Sequence, residues 1–251
     1  MSEVLLQQRH GAVLQLTLNR PHKKNAIDNA LWIALREAFT AAAEDDSVRC
    51  VVLHGAGDNF SAGVDLSSFT DAGEGEHPFE SAARAVADFD KPFIAAVHGV
   101  AVGGGATVLF HADMVYAGES LRLRLPFAAL ALPPEWASSY MLQANIGAQR
   151  AAELFYSAEW IDAGRARELN LVLEVVPEAE LLERALARAQ IVARWPLNGL
   201  REIKRCLRLP HRAAIDAAFA AEQAAMARQA GSAENIEAVM AIMEKREPRF
   251  D

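Results

Sequence analysis

With 251 residues, 52% hydrophobic and 23% charged, the chain has the composition of a globular protein able to bury a sizeable core, not of a disordered one. A net charge of −8 argues against nucleic acid as a general partner, and no apolar run reaches the ~20 residues of a membrane helix. Met1-Ser2-Glu3-Val4 lacks the basic and apolar segments of a secretory signal. The two cysteines, Cys50 and Cys206, provide neither a disulfide framework nor metal-ligand spacing, so a cytoplasmic protein without a metal site is the expectation.

Residues 12–19 alternate like a half-buried strand. A turn follows, holding Arg20, Lys23 and Lys24, and Asp28 is placed to cap a helix that carries Leu31, Leu35, Ala38, Phe39 and Ala42. Residues 48–53 read as a buried strand running into a glycine-containing loop. The polar, glycine-rich stretch 71–78 reads as a surface loop that could close over a site. A helix is expected over 78–89 and a strand over 93–97, then a helix over 104–111 and strands over 113–117 and 121–125. From 196 onward only helices are signalled, over 196–209, 211–230 and 232–246, broken at Pro210 and Gly231. The recurring order suggests stacked β/β/α units rather than a barrel, with a core over 1–195 and a helical region over 196–251. In the middle C-terminal helix, Ile215, Phe219, Glu222 and Met226 share a stripe that the core or another subunit must cover.

Two basic clusters are candidates for an anionic ligand despite the acidic balance. One is Arg20, Lys23 and Lys24; the other is Arg201, Lys204, Arg205 and Arg208, repeating at helical spacing. The ordinary reading of such a run is a solvated face. His54, His98 and His111 belong to no triad or zinc motif and read as structural. Asp65 and Asp113 read as acceptors for loop N–H groups. The G-x-G-x-x-G fingerprint of a dinucleotide site is absent.

Two stretches carry the chemistry: Phe60-Ser61-Ala62-Gly63-Val64-Asp65, and Ala96-Val97-His98-Gly99-Val100-Ala101-Val102-Gly103-Gly104-Gly105. Each follows an apolar strand and sets small residues where a loop meets a helix, so backbone N–H groups lie open to a ligand. Two such donors aimed at one point make an oxyanion hole. The pair resembles the motifs of the crotonase (enoyl-CoA hydratase/isomerase) superfamily over about residues 4–250. The resemblance implies an α/β spiral of ββα units with a C-terminal helical trimerisation region, and Ala62 and Gly104 as the oxyanion donors. It also implies an acyl-CoA substrate, no prosthetic group beyond the coenzyme A of that substrate, and a homotrimer or hexamer. Lys23, Lys24, Ala26, Ser61, Gly63, Val64, Asp65 and Leu66 are the expected coenzyme A contacts, with Lys204 reaching its phosphates.

The hydratases of this superfamily use two glutamates, and this chain has Thr107 and Phe127 at those places. A threonine is no base near neutral pH and a phenylalanine is an apolar wall, so simple hydration is disfavoured. One carboxylate stands out in Pro133-Pro134-Glu135-Trp136-Ala137-Ser138-Ser139-Tyr140. By position alone Glu135 reads as a residue at a helix start, favourable to the helix dipole. The pattern resembles the peroxisomal-type Δ3,Δ2-enoyl-CoA isomerases, in which this glutamate is the base. The leading expectation is therefore an acyl-CoA double-bond isomerase. Hydrolysis, decarboxylation, dehalogenation or hydration of an acyl-CoA, and a non-catalytic acyl-CoA-binding role, are the alternatives.

Overall fold

The computed structural model describes residues 3–65 and 78–250. A six-stranded sheet forms its centre, built from β1 (Leu5–His10), β2 (Val13–Leu18), β3 (Cys50–Gly55), β4 (Phe93–Val97), β6 (Met114–Gly118) and β9 (Glu174–Val176). It lies in that spatial order. Only the β1–β2 hairpin is antiparallel; every other pair is parallel. A smaller sheet joins β5 (Val100–Val102), β7 (Arg122–Arg124) and β8 (Trp160–Asp162). Successive units thus send a long strand to the large sheet and a short one to the small sheet, as in β4, β5 and the short helix α3 (Gly104–Thr107). This is the stacked ββα arrangement expected.

Alternation along the strands decides what covers each face. Leu14, Leu16 and Leu18 of β2, with Val51, Leu53, Phe93, Ala95 and Val97, face α1 (Asn29–Glu44) through Leu31, Leu35 and Phe39. Asp28 caps α1 as expected, accepting from Leu31 N at 2.9 Å. The other face carries Val13, Cys50, Val52, Ile94, Ala96 and Tyr116, covered by Leu181, Ala185 and Ala189 of α7 (Glu178–Ala193). Strand β2 is therefore buried on both faces, not half-buried. Gln15 is accommodated there by donating to Thr17 Oγ1 at 3.0 Å.

Helix α2 (Pro78–Ala87) packs on α1. The expected helix over 104–111 instead tightens after α3 into a 3-10 segment, Val108–His111. Helices α4 (Ser138–Ile146), α5 (Ala148–Ser157) and α6 (Ala163–Glu168) precede β9, and α8 (Leu197–Arg208), α9 (Arg212–Gln229) and α10 (Ala233–Glu244) close the chain. Helix α9 lies against α4, where Ile215 and Ala218 pack on Ala137. No helix among the described residues is long and apolar enough to cross a membrane.

Candidate active site

Residues 61–65 run between two neighbours. On one side Ser61 N donates to Val100 O (2.9 Å) and Val102 N to Ser61 O (3.0 Å). On the other, Ala62 N donates to Lys24 O (2.9 Å), Ile27 N to Gly63 O (2.7 Å) and Asp65 N to Ile27 O (2.9 Å). Ala62 was expected as an oxyanion donor, and this geometry corrects it: its N–H is already spent on Lys24. Because Gly63 O and Asp65 N both face Ile27, extended-chain alternation turns the N–H of Val64 the opposite way, toward the Val102–Gly104 side. Gly63 fixes this approach. Its φ is +87°, and a Cβ there would lie 2.5 Å from Val102 O, so only glycine fits.

Gly104 opens α3, so its N–H has no intrahelical partner. A Cβ on Gly104 would sit 3.2 Å from Glu135 Oε1 and 3.3 Å from Trp32 Cη2. Bare backbone, carboxylate and indole thus meet at one place. Trp32 is fully buried and edge-on to Phe79 and Trp136, with centroids at 5.1 and 5.6 Å.

Glu135 does not cap a helix. It sits in a turn before α4, followed by two non-glycine residues in the left-handed region, Trp136 (φ 62°) and Ala137 (φ 52°). The N–H groups at the start of α4 are instead met by Glu222 of α9: Ala137 N donates to Oε2 at 2.7 Å and Ser139 N to Oε1 at 2.8 Å. The turn is tied from two more sides, by His111 Nε2 donating to Trp136 O (2.7 Å) and Trp136 Nε1 donating to Ala83 O (3.0 Å). Enclosure first, and the like charge of Glu222 second, push the Glu135 carboxyl up to about 7. Such a group is a base of useful strength at neutral pH. Burial also raises Glu222, though the Ser139 side chain and then the Ser139 and Ala137 backbone donors pull it back.

An apolar cleft of about 450 Å³ lies beside the turn, bounded by Phe127, Leu132, Pro134, Ser139, Gln143 and Phe155. Thr107 is buried in α3, so neither position expected to hold a hydratase acid offers a carboxylate.

The expected coenzyme A contacts divide. Lys23 and Lys24 are exposed in the turn after β2, Ala26 and Val64 are partly exposed, and Leu66 lies outside the described residues. Ser61 is buried and donates to Asn25 O at 2.8 Å; Gly63 is buried. Asp65 pairs with the Arg20 guanidinium at 3.0 Å. Lys204 must be corrected. It is 5% exposed, and its ammonium donates to Lys91 O (2.7 Å) and Asp113 Oδ2 (2.9 Å), so two of its three donors serve the fold and burial keeps the group from a phosphate in solution. Its neighbours divide: Arg201 binds Ala43 O and Asp90, and Arg208 binds Ala87 O and His111 O, whereas Arg205 stays on a solvated face beside Glu202. Asp113 also accepts from Phe93 N at 2.8 Å, as expected.

His98 and His54 stack at 4.7 Å, with His98 Nε2 donating to Gly57 O and His54 Nδ1 to Ala96 O. Burial brings His54 down to about 4, a neutral structural imidazole. No cluster of three His, Cys, Asp or Glu among the described residues is arranged to hold a metal ion. Two participants escaped sequence reasoning. Trp32 lay beside the apolar stripe of α1, and Glu222 was read only as part of the stripe of α9.

Residues 8–251 match the family model described as enoyl-CoA hydratase/isomerase. The chain is 35% identical to the 2,3-dehydroadipyl-CoA hydratase of Escherichia coli K12, over 100% of this chain and 99% of that one. It is 34% identical to human enoyl-CoA delta isomerase 2, over 88% of this chain and 58% of that one. Among solved structures, an enoyl-CoA hydratase/isomerase from Pseudoalteromonas atlantica T6c superposes with a TM-score of 0.95 at 36% identity, covering 99% of this chain and 100% of that one.

Proposed function

The chain belongs to the enoyl-CoA hydratase/isomerase family, and we propose that within it the chain moves an acyl-CoA double bond from C3 to C2, with Glu135 as its single acid–base group. The observation that carries this reading is the 3.2 Å between Glu135 Oε1 and the Cβ position of Gly104, which sets a carboxylate beside an open N–H. A thioester oxygen accepting from Gly104 N and Val64 N would hold its C2 within reach of that carboxylate. Glu135 takes the C2 proton, the electron pair moves toward the carbonyl, and a dienolate forms whose oxygen the two N–H groups stabilise. The same carboxylic acid returns the proton to C4, leaving the C2=C3 bond conjugated with the thioester. Removing one such donor typically costs ~3–4 kcal/mol in the barrier. The cleft beside Phe127 and Leu132 would be an apolar bed for the acyl chain, and the exposed Lys23 and Lys24 would meet the coenzyme A phosphates. Exposed apolar residues on and near α8 and α10, such as Leu207, Leu209 and Met243, support contacts between copies in a homotrimer or hexamer.

Hydration is the second reading, favoured by the relative named a hydratase at 35% identity. It needs a second group to hold and activate water. Thr107 and Phe127 supply none, and both oxygens of Glu222 are already accepting from backbone. A panel of 3-enoyl-CoA thioesters, followed by ultraviolet absorbance for the conjugated product, tests the proposal. Turnover by the wild type and its loss in Glu135→Gln are expected. Turnover retained by Glu135→Gln, or a wild type that hydrates 2-enoyl-CoA and leaves every 3-enoyl-CoA untouched, would overturn it.

A further inference from the structure

We propose that Glu222, on the C-terminal helix α9, is a positioning residue for Glu135, which it serves by locking the 135–139 turn and presenting a negative charge behind it. The inference deepens the isomerase reading and rests on it for its consequence in catalysis. Four observations carry it. The Glu222 carboxylate is 6% exposed, and both of its oxygens accept from the turn, at 2.7 and 2.8 Å. The turn holds two successive non-glycine residues at positive φ, Trp136 and Ala137, a strained conformation that persists only where its surroundings impose it. Ala137 is packed on Ile215 and Ala218 of the same helix. Finally, Glu135 meets no cationic partner among the described residues, and the like charge of Glu222 acts on it.

The other titratable groups around α9 are engaged elsewhere. Arg84 of α2 is paired with Asp216 at 2.6 Å and lies over the Phe219 ring. Glu80 accepts from Gln223 at 2.8 Å, and His211 meets Tyr140 Oη at 2.7 Å. His111, stacked on Phe219, is brought down to about 3 by its burial and stays neutral where Glu135 titrates.

A glutamine at 222 keeps the size, loses the charge and has one acceptor for two N–H groups. The test is a pH titration of the Glu135 carboxyl itself, followed as the infrared C=O band of the protonated acid and identified by its loss in Glu135→Gln. In Glu222→Gln the midpoint should move to lower pH, and in Glu222→Asp, which keeps the charge, it should stay nearer the wild-type value. Turnover of a 3-enoyl-CoA should fall on the order of tenfold in Glu222→Gln, as the base weakens and the turn loosens. Should Glu222→Gln fail to fold, Glu222→Gln/Ala137→Gly relieves the left-handed strain at 137 and is titrated in its place. A folded Glu222→Gln or double variant whose midpoint equals that of the wild type would overturn the proposal, whatever its thermal stability. The band needs no substrate. A wild type without isomerase activity therefore sinks the proposed reaction alone, and an unmoved midpoint in an active enzyme sinks Glu222 alone.

Discussion

Gly104→Ala is the sharpest perturbation of the site. No positive φ stands in the way of an alanine, so the added methyl acts through space only. It would meet Glu135 Oε1 at 3.2 Å and Trp32 carbons at 3.3 and 3.6 Å, and the neighbours must yield a few tenths of an ångström. Trp32 is locked, fully buried with Phe79 and Trp136 edge-on to it. The Glu135 Oε1 is the far end of a flexible side chain, so the carboxylate takes the displacement. Overpacking of this kind costs ~1–3 kcal/mol of stability, and a misplacement approaching 1 Å costs ~10²-fold in rate. We therefore expect kcat on 3-enoyl-CoA to fall about 10- to 10²-fold, with KM little changed and the fold retained. Gly63→Ala is the contrast: its Cβ would strike a backbone oxygen at 2.5 Å with φ at +87°, so it should lose the fold along with activity. Steady-state kinetics beside thermal melts separate the two. Wild-type kcat in a folded Gly104→Ala protein would refute the placement of Glu135 beside the reacting centre.

Further outcomes follow from the buried charges. The rate on a 3-enoyl-CoA should fall on acidification with a midpoint near pH 7, as Glu135 takes up its proton; a flat profile from pH 5 to 8 would contradict this. The same shift acts on stability. The folded carboxyl sits at about 7 against an ordinary 4.5, so between those values the folded state binds more protons than the unfolded one, and stability falls as pH rises. Glu135→Gln should accordingly stabilise the fold at pH 8 by ~1–3 kcal/mol, read as a higher melting temperature, and have little effect at pH 4. Lys204→Met should cost ~1–3 kcal/mol by leaving the buried Lys91 O without its donor and the solvent-accessible Asp113 without its ammonium, while coenzyme A affinity, read by calorimetry on folded protein, stays at the wild-type value.

Much of the fold was legible because it rests on local signals. The Asp28 cap, the strand ending at Val97 and the three C-terminal helices all declare themselves through capping, alternation or breakers. The failures are tertiary. β2 reads as half-buried because α7, which covers its second face, lies far along the chain. Glu135 reads as a helix-start residue because the sequence around it is helix-compatible, yet α4 begins only at Ser138. What delays it is a carboxylate 85 residues from Ala137. The oxyanion pair shows the same limit. Small residues advertise exposed N–H groups, but which of Ala62 and Val64 faces the site depends on Lys24 and Ile27, whose pairing with the loop no spacing reveals. Lys204 has the helical periodicity of a basic surface and the surroundings of a core.

Lys204 and Glu135 are both enclosed ionisable groups, and their partners decide opposite fates. The Lys204 ammonium has a carboxylate and a carbonyl within hydrogen-bond distance, so the desolvation that lowers its proton affinity is partly offset and the charge serves the fold. Glu135 has another carboxylate behind it and indole in front, so its charge is held at a cost that no contact among the described residues recovers. A protein gains nothing in stability from such an arrangement, and a glutamine would relieve it. The cost becomes intelligible if the carboxylate's high proton affinity is what the site uses. Hence the opposite signs expected for Lys204→Met and Glu135→Gln in thermal melts form one argument: the first removes a structural charge, the second a strained one. If both substitutions destabilised the protein equally at pH 8, Glu135 would be a structural group like Lys204, and the case for it as the base would fail with that result.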